Sequence, residues 1–111
     1  MRLVIVESPY AGDVERNLRY LAAAMADCFA RGEAPFASHR TYPGVLNDND
    51  PKERALGIKA GLAWGVFADA TVVYTDLGTS DGMIHGIAAA TAAKRPIEYR
   101  TLPGWGPFDA S

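Results

Sequence analysis

Apolar positions along this chain follow first a strand-like and then a helix-like period, and each switch marks an element. Leu3, Val4, Ile5 and Val6 form an unbroken apolar run, short enough for a strand and apolar on both faces, as a buried parallel strand is. From Val14 to Arg31 the period lengthens: Val14, Leu18, Leu21, Met25 and Phe29 recur at spacings of four, three, four and four, the stripe of an amphipathic helix facing a core. Arg16, Arg19 and Asp27 fall off that stripe. Gly32 ends the helix, with Arg31 favourably placed for the dipole in its last turn.

Ala34 to Ser38 reads as a second strand that ends at His39. Arg40 to Asn49 is a loop by its Pro, Gly, Asn and Asp content, and loops of such length often carry binding residues. Asp50, Pro51 and Glu53 then predict a capping box with proline at the first helical position. The helix runs from Pro51 to about Phe67 and buries some of Leu56, Ile58, Leu62, Trp64 and Phe67. The β-branched run Thr71 to Thr75 predicts a third strand, ending at Asp76. Ser80 is the N-cap of a third helix, with Asp81, Gly82 and Met83 in its first turn, an alanine-rich body to Ala93, and Lys94 and Arg95 at its end. Pro96 to Tyr99 gives a fourth strand, and Thr101 to Ser111 an irregular tail.

Strands alternating with helices call for right-handed crossovers and a parallel sheet. We expect a single α/β domain over residues 1–100, with four parallel strands in the order 2-1-3-4. Ligands in such sheets bind beyond the carboxyl ends of the strands, at the switch point between the first and third. Ser8, Tyr10, His39, Asp76 and Ser80 all fall on that rim. Ser8 and Tyr10 either touch a ligand or belong to a turn that only connects. His39 is either a ligand contact or a polar loop residue. Arg54, one turn into its helix, either reaches an anion or pairs with Asp50.

Composition narrows the function. With 49% hydrophobic and 22% charged residues the chain has material for a core, and 111 residues suit one domain. A net charge of −2, with scattered Lys and Arg, disfavours direct nucleic-acid binding. The single cysteine, Cys28, forms no internal disulfide and no cysteine-based zinc site, and reads as a small buried hydrophobe. No apolar stretch suits a signal peptide or a bilayer span, so a cytoplasmic protein without membrane contact is expected. Neither a GxGxxG nor a GxxxxGK[ST] loop is present, and no cofactor or metal is called for.

Several motifs carry a family resemblance: SPYAGD at 8 to 13 followed by Asn17, PFASH at 35 to 39, DxDPxER at 48 to 54, GxxxGLxW at 57 to 64 and SxGM at 80 to 83. In this order they resemble the nucleoside 2-deoxyribosyltransferase-like superfamily, in its short bacterial and phage branch. The resemblance covers nearly the whole chain. It implies a flavodoxin-like or Rossmann-like three-layer α/β sandwich holding a nucleoside or nucleotide at the carboxyl rim, in a homo-oligomer whose subunits complete one another's sites. By position it implies ligand contacts from Ser8, Tyr10, His39, Ser80, Gly82 and Met83, and Pro9, Asn17 and Arg54, which fall in or beside the same motifs, are further candidate contacts. Characterised relatives cleave or transfer at the N-glycosidic bond through a glutamate that follows SxGM by three residues. Here that position is Gly86, and glycine offers no carboxylate to attack or stabilise the anomeric carbon.

Three readings follow. The first is a pocket that binds, senses or sequesters a nucleotide-derived molecule without turnover. The second is an enzyme acting on the N-glycosidic bond through a relocated carboxylate, Asp76 or Asp81 being nearest in sequence. The third is a structural oligomer. A homodimer is expected through the helix bearing Trp64 and the alanine-rich helix, since small residues permit close approach and two-fold pairing is the commonest symmetry.

Overall fold

The structure, a computed structural model, describes residues 1–105. Four strands, β1 (Arg2–Glu7), β2 (Glu33–Phe36), β3 (Ala70–Tyr74) and β4 (Ile97–Arg100), form one parallel sheet in the order β2-β1-β3-β4. The helices are α1 (Val14–Ala30), the single turn α2 (Ser38–Thr41), α3 (Pro51–Gly65) and α4 (Asp81–Ala92). The crossover through α1 runs outward to β2, and those through α3 and α4 run the opposite way across the sheet. Right-handed connections therefore put α1 on one face and α3 with α4 on the other, a three-layer α/β sandwich. Among the described residues no helix is long and apolar enough to cross a membrane.

The core is uneven across the sheet. Every residue of β3 is buried, as a central parallel strand requires. β1 is buried at Val4 and Val6, under α1, while Leu3 on its other face is exposed. The first strand is thus less enclosed than its apolar run predicts. α1 buries Asn17, Tyr20, Leu21, Ala24 and Cys28, and leaves Phe29 exposed. The packed stripe is therefore rotated from the expected Val14, Leu18, Leu21, Met25, Phe29 line. Two polar contacts turn it: Tyr20 Oη donates to Asp76 Oδ2 (2.7 Å), and the Asn17 side-chain amide donates to the Tyr10 and Ala11 carbonyls (2.9 and 3.1 Å).

Helix α3 also packs differently from its apolar pattern. Leu56, Leu62, Trp64 and the following Phe67 are exposed, and Gly65 is its one buried residue. Small residues make the contacts instead: a Cβ at Gly61 would lie 2.9 Å from that of Ser38, and one at Gly65 would lie 3.3 Å from the Arg95 guanidinium. Its start is as expected at Asp50 and Pro51, but the capping box is incomplete. Asp50 accepts from the Lys52 N–H, whereas Glu53 reaches past the cap to the N–H of Asn47.

The chain after β2 turns at Ala37 into α2, so His39 lies on a helical turn rather than at the end of a strand. Beyond β4, Leu102 is buried and Trp105 packs edge-on to Tyr20 with ring centroids 5.1 Å apart. The start of the expected irregular tail thus belongs to the core, and residues 106–111 lie outside the described residues. Cys28 is buried, its Sγ 3.5 Å from Tyr74 Oη. Arg100, the last residue of β4, is buried with its guanidinium bonded to Glu33 at the start of β2, through two hydrogen bonds of 2.8 Å, and to Glu98.

Candidate functional site

A cavity of about 410 Å³ opens at the carboxyl rim, between the loop after β1, α2 with the loop behind it, the first turns of α3, and the start of α4. Parallel topology brings these segments together, because each follows a strand or starts the helix next to one. Ser8, Tyr10, His39, Arg54, Ser80, Gly82, Met83 and Asp81, picked from sequence, all line it. Three other sequence-picked residues stand apart from the lining. Pro9 is buried behind Ser8. Asn17 is buried and ties the first loop to α1 through its two carbonyl contacts. Asp76 joins three segments of the core: it accepts from Tyr20 Oη and from the Leu102 N–H (2.8 Å), and its own N–H donates to Tyr20 Oη (2.9 Å).

At the floor, Ser8 Oγ and His39 Nε2 lie 2.7 Å apart. Burial holds His39 down at about 4, so the imidazole is neutral at pH 7. In the tautomer whose Nε2 carries no proton the serine hydroxyl donates to the ring and keeps its lone pairs for another partner; in the other tautomer the ring donates to Ser8 Oγ. At the α4 end, Ser80 Oγ accepts from the Met83 N–H (3.3 Å), and the Met83 thioether accepts from the Ser80 N–H (3.4 Å). This reciprocal cap leaves the N–H groups of Asp81 and Gly82 as those without an intrahelical acceptor. On the α3 side, Arg54 Nε sits 3.9 Å from Asp48 Oδ1, so its acidic neighbour is Asp48 and not Asp50.

The residue that sequence reasoning passed over is Glu7. It is the last residue of β1, lines the cavity beside Ser8, and lies against Gly86 of α4. A Cβ at Gly86 would collide with the Glu7 carboxylate, whose Oε1 would be only 2.7 Å away. Burial pushes the Glu7 carboxyl up to about 8, against a weaker opposing pull from Arg95. Arg95 is itself engaged with Thr71 Oγ1 (3.0 Å) and the Gly65 carbonyl (2.7 Å). The signal in the sequence was an acidic residue closing the apolar run Leu3 to Val6, opposite a helix position that lacks a side chain.

Among the described residues no three His, Cys, Asp or Glu side chains converge as a metal-binding group. The cavity therefore offers a neutral floor of Glu7, Ser8 and His39, aromatic walls from Tyr10 and Tyr42, and charged groups at its mouth. Such a mix of apolar surface with a few convergent polar groups suits a small organic molecule. No curated protein matches the chain. Residues 2–100, from the first residue of β1 to the last of β4, match a family described as a domain of unknown function, DUF7768, and the chain belongs to that family.

Proposed function

We propose that the rim cavity binds a nucleoside or a nucleotide-derived small molecule. The observation that carries this reading is convergence: eight residues chosen from separate motifs, spread from Ser8 to Met83, line one cavity. Its volume suits a base with its sugar, since pockets for small organic ligands span roughly 300–1,000 Å³. The likeness of the five motifs to the nucleoside 2-deoxyribosyltransferase-like superfamily supports the same ligand class. A cytoplasmic setting is in keeping with the single buried, unpaired Cys28. Calorimetric titration with a panel of nucleosides and their 5′-phosphates tests the proposal. Saturable binding, weakened by Ser8→Ala or Tyr10→Ala, supports it, and failure of every panel member to bind refutes it.

A second reading, hydrolysis or transfer at the N-glycosidic bond, is favoured by one observation. A carboxyl group does stand beside Gly86, contributed by β1 and not by α4. Glu7 is thus a better candidate for a relocated carboxylate than Asp76, which is engaged in the core, or Asp81, which is exposed. A protonated Glu7 suits a general acid that protonates the leaving base as its bond to the anomeric carbon breaks and water, or a second base in transfer, bonds to that carbon. Chromatographic detection of free base tests this. Release that Glu7→Gln abolishes and Asp76→Asn preserves supports turnover, and binding without release leaves the pocket as a binder.

A further inference from the structure

Hydrogen-bonding capacity and charge are distributed unequally between the floor and the mouth of the cavity. At the floor, the Glu7 carboxyl meets no hydrogen-bonding group among the described residues, and the charge acting on it is that of Arg95. The slot that holds it exists because Gly86 has no side chain. Its protonated form dominates at neutral pH, so its hydroxyl is a donor facing a cavity with nothing yet to accept from it. The adjacent His39 is neutral and bonded to Ser8. A ligand reaching the floor therefore meets uncharged groups.

The mouth is acidic. Asp48, Glu53 and Asp81 bring three carboxylates against one guanidinium, Arg54, and that guanidinium already faces Asp48. At the start of α4 the Ser80 and Met83 N–H groups are taken up by the reciprocal cap, Ser80 Oγ with the Met83 N–H and Met83 Sδ with the Ser80 N–H, which leaves only the N–H groups of Asp81 and Gly82, beside the Asp81 carboxylate, to meet an anion. A phosphate would approach a net negative mouth, and like charges there repel it.

Resting on the reading that this cavity takes a nucleoside-type molecule, we infer that it selects an uncharged nucleoside: Glu7 at the floor donates its carboxyl hydrogen bond to an acceptor on that molecule, and the acidic mouth disfavours the corresponding phosphate ester. Loss of that proton converts a donor into an acceptor and leaves both the ligand's acceptor and a buried charge unsatisfied, the kind of mismatch that costs most in a buried site. The other ionisable groups around the cavity are Tyr10 on the first loop, Tyr42 after α2, and the mouth residues on the long loop, α3 and α4. His85 of α4 is exposed and outside the lining.

The test is calorimetry on the full chain with adenosine, cytidine and their 5′-monophosphates, whose bases do not titrate in the range used. At about pH 6.5 a nucleoside binds at least about tenfold more tightly than its monophosphate, and its affinity falls about tenfold or more by about pH 9.5 as Glu7 ionises. Glu7→Gln, whose amide still donates but does not ionise, loses the pH dependence, while Glu7→Ala binds more weakly than Glu7→Gln at both values. Equal or tighter binding of the monophosphate, or a wild-type affinity unchanged over that range, overturns the inference and leaves the nucleoside pocket standing. No binding of either form at either pH overturns the pocket reading itself, and this inference with it. Both wild-type comparisons hold even where a Glu7 variant fails to fold.

Discussion

Glu7 and Gly86 share one space: the carboxylate that ends β1 occupies the volume into which any side chain at position 86 of α4 would project. The two positions are far apart in sequence and act as a pair, since a side chain on one is compatible only with the other's absence or displacement.

Gly86→Ala is accordingly expected to displace the Glu7 carboxyl and to cost about 1 kcal/mol, the low end for overpacking, because the colliding atoms are the end of a flexible side chain. The same substitution in a Glu7→Ala background gains up to about 1 kcal/mol instead, because alanine is the better helix former once the collision is gone. Urea denaturation of the four proteins checks this as a double-mutant cycle, and additive effects would show that the positions are independent. By the same geometry Gly86→Glu expels Glu7 from its slot, so this change does not simply add a second carboxylate to the cavity.

The pH dependence of stability should divide into two windows. His39 is held at about 4 in the folded chain against 6.5 ordinarily, so the unfolded chain binds the extra proton and stability rises with pH between those values. Glu7 is held at about 8 against 4.5, so here the folded chain keeps a proton that the unfolded chain has released. Its contribution is full below 4.5 and is lost as pH climbs through about 8. From 4.5 to 6.5 the two slopes oppose each other, and from 6.5 to 8 Glu7 acts alone, with a decline of at most about 2 kcal/mol. Thermal melts across that interval should show a falling midpoint in the wild type and a flat one in Glu7→Gln.

Strand order and the rim placement of the site were legible in the sequence because they follow from the alternation of elements and the handedness of their crossovers. Side-chain roles were less so. The α1 stripe shifted because Tyr20 and Asn17, polar by type, are buried on hydrogen bonds to partners more than half a chain away or in the adjoining loop. Asp76 follows a strand at the rim, as a catalytic aspartate would, yet its two acceptor contacts come from α1 and from beyond β4. Glu7 went unread because its chemistry depends on what α4 lacks at Gly86, a relation that no local pattern carries.

Tyr20→Phe and Asp76→Asn should therefore behave as lesions of the fold. Each removes or weakens a largely buried hydrogen bond that ties α1 to the end of β3, with an expected loss of about 1–3 kcal/mol. Nucleoside affinity measured well below the melting temperature should stay within about twofold of wild type. Ser8→Ala should show the reverse profile, with a smaller stability loss and a clear drop in affinity. A large affinity loss in Asp76→Asn with unchanged stability would contradict this division of roles.

The surface of α3 leads to the last prediction. Leu56, Leu62 and Trp64, with Val66 and Phe67 beyond its end, are all exposed, and Ile84 is exposed on the neighbouring α4. Trp64 keeps one contact with the domain, tilted against Phe36 at 5.6 Å, while 57% of it remains accessible. So many large apolar side chains left accessible on one helix and its end amount to more exposed apolar surface than a monomeric protein commonly carries. A second copy is the simplest cover, because a two-fold pairing sets the same patch against itself. Light scattering at micromolar concentration should give about twice the 11.9 kDa chain mass. Leu56→Lys or Leu62→Lys should yield a monomer, and neither removes a core contact, so melting of the isolated subunit should change by no more than about 0.5 kcal/mol. A wild-type monomer under those conditions refutes the pairing, and the exposed face of α3 would then need a different partner.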